Sequence, residues 1–204
     1  KALAPSISLD NESFPFMTSQ YGQVAGIDAR VARISFTGDL SFEVNVPANY
    51  GLALWEAIME TGAQFKVTPY GTEAMHVLRA EKGFVIVGQD TDSTITPFDL
   101  GMDWIVSKTK EDFVGQRSMA RSDLTRPERR QLVGLTSEHS DFVIPESAQL
   151  IAVGAESSPR SIGFVTSSYF SPVLNRSIAL ALVENGKALI GNHVWATFSR
   201  TKYR

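Results

Sequence analysis

The chain has 204 residues, 43% of them hydrophobic and 20% charged, which suits one large or two small packed domains. A formal net charge of −3 argues against a nucleic-acid or anionic-membrane surface, and no apolar run is long enough to span a bilayer. The absence of Cys excludes disulfides, thiolate metal sites and thiol nucleophiles, and fits a reducing, cytoplasmic compartment.

Residues 1–28 read as irregular, with Asn11-Glu12-Ser13-Phe14-Pro15-Phe16 as an aromatic turn. A β-hairpin is predicted over about 29–46: apolar residues alternate on its arms (Ile34 and Phe36, then Leu40, Phe42 and Val44), and Thr37-Gly38-Asp39 supplies the turn. Period two puts Glu43 on the face opposite Phe42 and Val44. A carboxylate there accepts two parallel hydrogen bonds, so it can clamp a planar group with adjacent N–H donors, such as an amidine-like heterocycle edge or a guanidinium. A solvated Glu on the outer face of a half-exposed strand is the other reading.

After Pro47 a helix is predicted from Asn49, its cap, to about Glu60, with Leu52, Trp55, Ile58 and Met59 at helical spacing and Gly62 as its stop. Phe65-Lys66-Val67 reads as a short strand. A second helix is predicted from Tyr70 to Lys82, with Ala74, Val77 and Leu78 on its buried side and Gly83 at C′. These elements make an α+β layer. Residues 83–106 mix apolar residues with turns. Five apolar segments follow, at 132–135, 149–153, 162–165, 178–183 and 194–198, with no long helix between them, as in a small barrel or sandwich. The charged stretch Arg121 to Arg130 is the boundary candidate and divides the chain into 1–127 and 128–204.

Familiar active-site patterns are missing. There is no G-x-G-x-x-G and no G-x-x-x-x-G-K-[ST], and His76, His139 and His193 show no metal-ligand spacing. Thr166-Ser167-Ser168 lacks a G-x-S-x-G elbow and reads as a strand-to-loop turn. Gly88-Gln89-Asp90-Thr91-Asp92 lacks the spacing and terminal Glu of a calcium loop. No metal site is expected.

The runs F-T-G-D-L-S-F-E (36–43), L-R-A-E-K-G (78–83) and G-Q-D-T-D-S-T-I-T-P-F-D-L-G-M-D-W (88–104) resemble the aminomethyltransferase family, the tetrahydrofolate-binding T-protein of the glycine cleavage system and its relatives. Further runs resemble its sarcosine oxidase α-subunit branch: E-K-G-F-V-I-V-G-Q-D-T-D (81–92), D-F-V-G-Q-R-S (112–118), Q-L-V-G-L (131–135), G-F-V-T-S-S-Y (163–169) and S-P-V-L-N-R-S-I-A-L-A-L-V (171–183). The resemblance implies part of a folate-binding aminomethyltransferase-type domain followed by a small C-terminal β-barrel. It implies that Glu43 binds the 2-amino and N3–H groups of the pterin. Phe36 would pack at the ring, where T-proteins carry Tyr. Arg79, kept from the L-R-x-E run, would contact the ligand or pair with Glu81 or Asp92. Met75 departs from a folate-contacting Arg. The family's catalytic Asp precedes the hairpin and has no match here, so no catalytic residue is expected.

The activity implied is capture of the one-carbon unit from oxidative demethylation of sarcosine, as 5,10-methylenetetrahydrofolate. FAD, FMN and NAD would belong to the complete heterotetramer, with its other subunits as partners, and not to these residues. The chain, which starts at Lys1 without Met, would be a portion of a longer subunit and by itself would lack oxidase activity. A stand-alone glycine-cleavage aminomethyltransferase and a non-catalytic docking scaffold are the alternatives.

Overall fold

In the computed structural model, which describes residues 1–139, 142–155, 157–198 and 201–203, the chain divides into two units, Lys1–Arg79 and Ala80–Arg204. The first is built on a three-stranded antiparallel sheet of β1 (Thr18–Val24), β2 (Ile27–Arg33) and β3 (Glu43–Asn45), in that order. Val24 pairs with Ile27 across a two-residue turn in which Ala25 (φ 53°) and Gly26 (φ 75°) are both left-handed. That turn carries the twist that suits a tight hairpin. β1 corrects the expectation that residues 1–28 are irregular.

The predicted hairpin is present as the β2–β3 pair, but its arms are shorter. Arg30–Ala32 pairs with Glu43–Asn45, and residues 34–42 form a loop. Side chains close that loop: the Gly38 N–H donates to Ser35 Oγ (2.9 Å) and Ser41 Oγ donates to the Asp39 carbonyl (3.1 Å). Gly38 takes φ 82°, which a β-carbon would oppose.

α1 (Gly51–Gly62) follows a 3₁₀ turn at Ala48–Tyr50, and no side chain caps it, Asn49 included. Leu54 is its buried residue, with Ile58 packed one turn later against the same core of Ile7, Phe14, Val24, Ala29 and Val31. Leu52 and Trp55, expected inside, are 70% and 53% exposed. Phe65-Lys66-Val67 is not a strand: Ala63–Phe65 continues as a 3₁₀ turn and Lys66 is left-handed at φ 58°. α2 (Thr72–Glu81) is shorter than predicted, with Ala74 exposed and Arg79 and Ala80 buried. Gly83 (φ 73°) ends it, its N–H donating to the Ala80 carbonyl at 3.0 Å.

The second unit is organised by a six-stranded antiparallel sheet. Its strands are β4 (Arg130–Thr136), β5 (Gln149–Ala152), β6 (Ser161–Ser171), β7 (Arg176–Glu184), β8 (Val194–Phe198) and β9 (Thr201–Tyr203), in the order β4-β7-β6-β5-β8-β9. The five apolar segments singled out in the sequence lie on these strands, except Val153, which follows the end of β5. Leu150, Val165, Ala179, Ala181, Val183 and Ala196 form the core. Thr166-Ser167-Ser168 lies within β6, not at its end. Val165 faces Ala181 and Ser167 faces Leu180, so Thr166 is the additional residue of a β-bulge. At Gly163 a β-carbon would stand 2.2 Å from the Leu182 carbonyl oxygen, so β6 and β7 pair there only because the side chain is absent. Mixed helices and antiparallel sheets make the α+β class. Among the described residues, no helix is long and apolar enough to cross a membrane.

Candidate functional site

The register of the first unit sorts its sheet into two faces. Gln20, Val31 and Val44 stand in a row against the core. The other face carries the row Ser19–Ala32–Glu43, then Tyr21–Arg30–Asn45, then Gln23–Asp28. Glu43 is therefore where alternation places it, opposite Phe42 and Val44. It is exposed, and its carboxylate has no hydrogen-bond or ion-pair partner among the described residues. Both its oxygens can accept from a ligand. The residues beside it in the row, Ala32 and Ser19, are small, which leaves a low floor next to the carboxylate.

The strand that carries Glu43 is anchored one residue earlier. The Phe42 ring lies 5.7 Å from that of the fully buried Phe14, and the Arg33 guanidinium stands 5.9 Å over it. Arg33 donates to the Phe14 carbonyl (2.7 Å) and to Asn11 Oδ1, tying β2 to the 8–14 segment. In that segment Asp10 accepts from Ser8 Oγ, from the Ser13 N–H (2.8 Å) and hydroxyl (2.7 Å), and from the Glu12 N–H (3.1 Å). These donors, Ser8 first, hold the Asp10 carboxyl well below the usual carboxylate range. Sequence reading missed Arg33 and Asp10 as supports. The signal was D-x-x-S, an Asx-turn pattern ahead of Phe14.

Phe36, on the loop before Glu43, is 38% exposed, so a ring face is available. Arg79 differs from both: it lies in the last turn of α2 and is fully buried. Met75, one turn earlier, is half-buried.

The conspicuous acidic motif of the second unit is internal. Asp90, fully buried, accepts from Thr166 Oγ1 (2.5 Å), Ser167 Oγ (2.6 Å) and the Ile86 N–H (2.8 Å). Gln89 Nε2 adds donations to the Thr166 carbonyl (3.2 Å) and Ser167 Oγ (3.1 Å). Glu81 accepts from Ser171 Oγ at 2.5 Å. Asp99 takes the Arg129 Nε (2.9 Å) and Nη2 (2.7 Å) as well as the Thr96 N–H (2.8 Å). Burial pushes the Asp99 carboxyl up, but the Arg129 and Thr96 donors outweigh it and hold the group below its ordinary value. The run 86–99 thus docks a loop onto its own sheet. A concavity of about 640 Å³ in this unit is lined by Phe98, Phe113, Met119 and Leu124, and its two buried charges, Asp99 and Arg129, are bonded to each other. Among the described residues, no group of three or more His, Asp or Glu could hold a metal ion.

Comparison with known proteins gives two consecutive family matches, the GCVT N-terminal domain over residues 1–110 and the glycine cleavage T-protein C-terminal barrel domain over 130–204. The chain is 50% identical to the sarcosine oxidase subunit alpha of Corynebacterium sp. (strain U-96) over 193 residues, 93% of this chain and 20% of that protein. It is 33% identical to the aminomethyltransferase of Thermoanaerobacter pseudethanolicus over 84% of this chain and 45% of that one. The crystal structure of the glycine cleavage system aminomethyltransferase T from Bartonella henselae matches 95% of this chain and 51% of that one, with a TM-score of 0.79 at 27% identity. The chain thus spans about a fifth of the oxidase subunits and about half of the aminomethyltransferases that it matches.

Proposed function

The chain belongs to the glycine cleavage T-protein family, and from that premise we propose that it is the tetrahydrofolate-binding portion of a sarcosine oxidase α subunit. The oxidase branch is favoured by identity, 50% against 33% for an aminomethyltransferase over similar stretches of this chain. In this reading sarcosine is demethylated at a flavin held elsewhere in the complete enzyme, with its other subunits, and the one-carbon unit is captured as 5,10-methylenetetrahydrofolate. The division near residue 127 fits the family matches, which leave residues 111–129 between them. Absence of Cys suits a cytoplasmic setting.

The observation that carries the reading is the exposed Glu43 carboxylate with both oxygens available above the small residues Ala32 and Ser19. It fits the pterin head, whose adjacent amino and N3–H groups match a carboxylate as paired donors. Tetrahydrofolate supplies the amine nitrogens that take up the one-carbon unit. Glu43 orients the head, and Phe36 offers a ring face against it. Arg79, which the resemblance implies contacts the ligand or pairs with an acidic neighbour, is fully buried in the last turn of α2. Fixed position is the catalytic contribution: a nucleophile held where a reactive carbon arrives captures it before water does.

Calorimetric titration with tetrahydrofolate tests the clamp. Glu43→Ala is expected to weaken binding about tenfold to a hundredfold, the range for a charge-assisted pair, with an unchanged unfolding midpoint. Unaltered affinity in that variant, or no binding by the parent chain, refutes the reading and favours the docking scaffold.

A further inference from the structure

The barrel sheet of the second unit holds a cavity that the folate reading does not use. The sheet ends at β4, and β8 pairs with β5 and β9, so β4 and β8 are not hydrogen-bonded to each other. Both strands line a concavity of about 420 Å³. Its floor is apolar: Ile144, Leu150 and Ala196 are buried members of the core, and Val194 packs against them. Small-molecule pockets of roughly 300–1,000 Å³ join such a floor to a few polar groups that fix orientation.

The polar groups come from the end of β4 and the start of β7. The Ser137 N–H donates to the Ser177 carbonyl (3.2 Å), which continues the β4–β7 pairing past Thr136 and sets Glu138 across from Arg176. Opposite charges thus stand on one rim without pairing. Arg176 is exposed and forms no ion pair among the described residues, while Glu138 Oε1 lies 3.1 Å from His193 Nδ1. Ser137 is buried. Its hydroxyl accepts from the His139 N–H (3.1 Å), and its own proton has no acceptor among the described residues.

We propose that this cavity binds a free α-amino acid with an aliphatic side chain. Such a ligand carries an anion, a cation and an apolar group on one carbon, and the wall offers a partner to each. The carboxylate takes the Arg176 guanidinium and the Ser137 hydroxyl. The ammonium takes Glu138, whose carboxylate has acceptor sites beyond the one that faces His193. The side chain lies on Ile144, Leu150 and Ala196. Neighbouring strands lie about 4.8 Å apart, close enough for Arg176 and Glu138 to reach groups on the same carbon. Charge selects the class: a simple carboxylate sets an anion beside Glu138, a simple amine sets a cation beside Arg176, and the zwitterion satisfies both. The inference stands on the second unit alone and is independent of the pterin clamp.

Titration of the chain followed by amide NMR tests the site with L-leucine, 4-methylpentanoate, which lacks the ammonium, and 3-methylbutylamine, which lacks the carboxylate. Leucine is expected to shift the signals of residues 134–138 and 192–196 and to bind about three- to tenfold more tightly than either analogue, as for partly solvated ion pairs. Arg176→Gln is expected to weaken leucine by a similar factor without weakening the amine. Glu138→Gln is expected to weaken leucine without weakening 4-methylpentanoate. The Arg176 side chain is exposed and that of Glu138 is 42% exposed, so both variants should keep the parent unfolding midpoint. Leucine that leaves those signals unmoved, binds no more tightly than the analogues, or keeps its affinity in either variant overturns the proposal.

Discussion

Asp99→Asn is the most informative perturbation of the scaffold. The side chains of Asp99 and Arg129 are only 5% and 8% exposed, and their closest contact is 2.7 Å. The substitution keeps the shape and the Thr96 contacts but removes the charge, leaving the guanidinium buried with carbonyl partners only, at Asp123 (3.3 Å) and Thr94. An uncompensated buried charge of this kind costs about 3–5 kcal/mol. For a chain of this size that lowers Tm by roughly 10 °C. Urea unfolding followed by circular dichroism at pH 7 measures it. Replacing both partners, Asp99→Leu with Arg129→Met, removes charge and counter-charge together. It is expected to cost less than the single change, because only neutral groups are then left unpaired. Acid gives an independent handle. The folded-state carboxyl is held below its unfolded value, so its contribution is complete above about pH 4 and is lost as pH falls through the folded value. The gap between parent and variant should therefore narrow below about pH 4. A loss under about 1 kcal/mol at pH 7, or a double variant less stable than the single, refutes the argument.

Asp90→Ala removes the acceptor shared by Ile86, Thr166 and Ser167 and should cost about 2–4 kcal/mol in urea unfolding. Limited proteolysis should then cut faster between Phe84 and Thr94, whereas unchanged cleavage would mean that the loop is held by other contacts. Gly163→Ala must move the backbone of β7 away from a β-carbon 2.2 Å from its Leu182 carbonyl, so a loss of about 3 kcal/mol or more is expected in the same assay. Native stability in that variant would show that the pairing can relax.

The C-terminal strands were legible because buried sheets need continuous apolar runs, and Ile178 to Val183 is one. β1 was not, because its residues Thr18, Ser19, Gln20, Tyr21, Gly22 and Gln23 lie mostly exposed and leave Val24 as the one fully buried side chain. The alternation of Ile34, Phe36 and Leu40 suggested longer hairpin arms than form, since Ser35 and Ser41 bend that stretch through local hydrogen bonds. Leu52 and Trp55 satisfy helical spacing as well as Leu54 and Ile58 do, and only packing shows which pair turns inward. The direction of Glu43 followed from period two. Its neighbours on the face did not, because Ala32, Ser19 and Arg30 reach it only through register. Asp90 and Ser167 lie 77 positions apart, a separation no local pattern encodes.

The additional residue in β6 lets two neighbouring side chains serve one acceptor. Successive side chains on a pleated strand normally leave by opposite sides, yet Thr166 and Ser167 both grip Asp90. A deletion at position 166 would leave Val165 opposite Ala181 and Ser167 opposite Leu180 in a regular register, but would take away the hydroxyl that Thr166 donates to Asp90. Loss of that residue is therefore expected to cost one of the two hydroxyl donors to Asp90 and to leave the pairing of β6 with β7 intact.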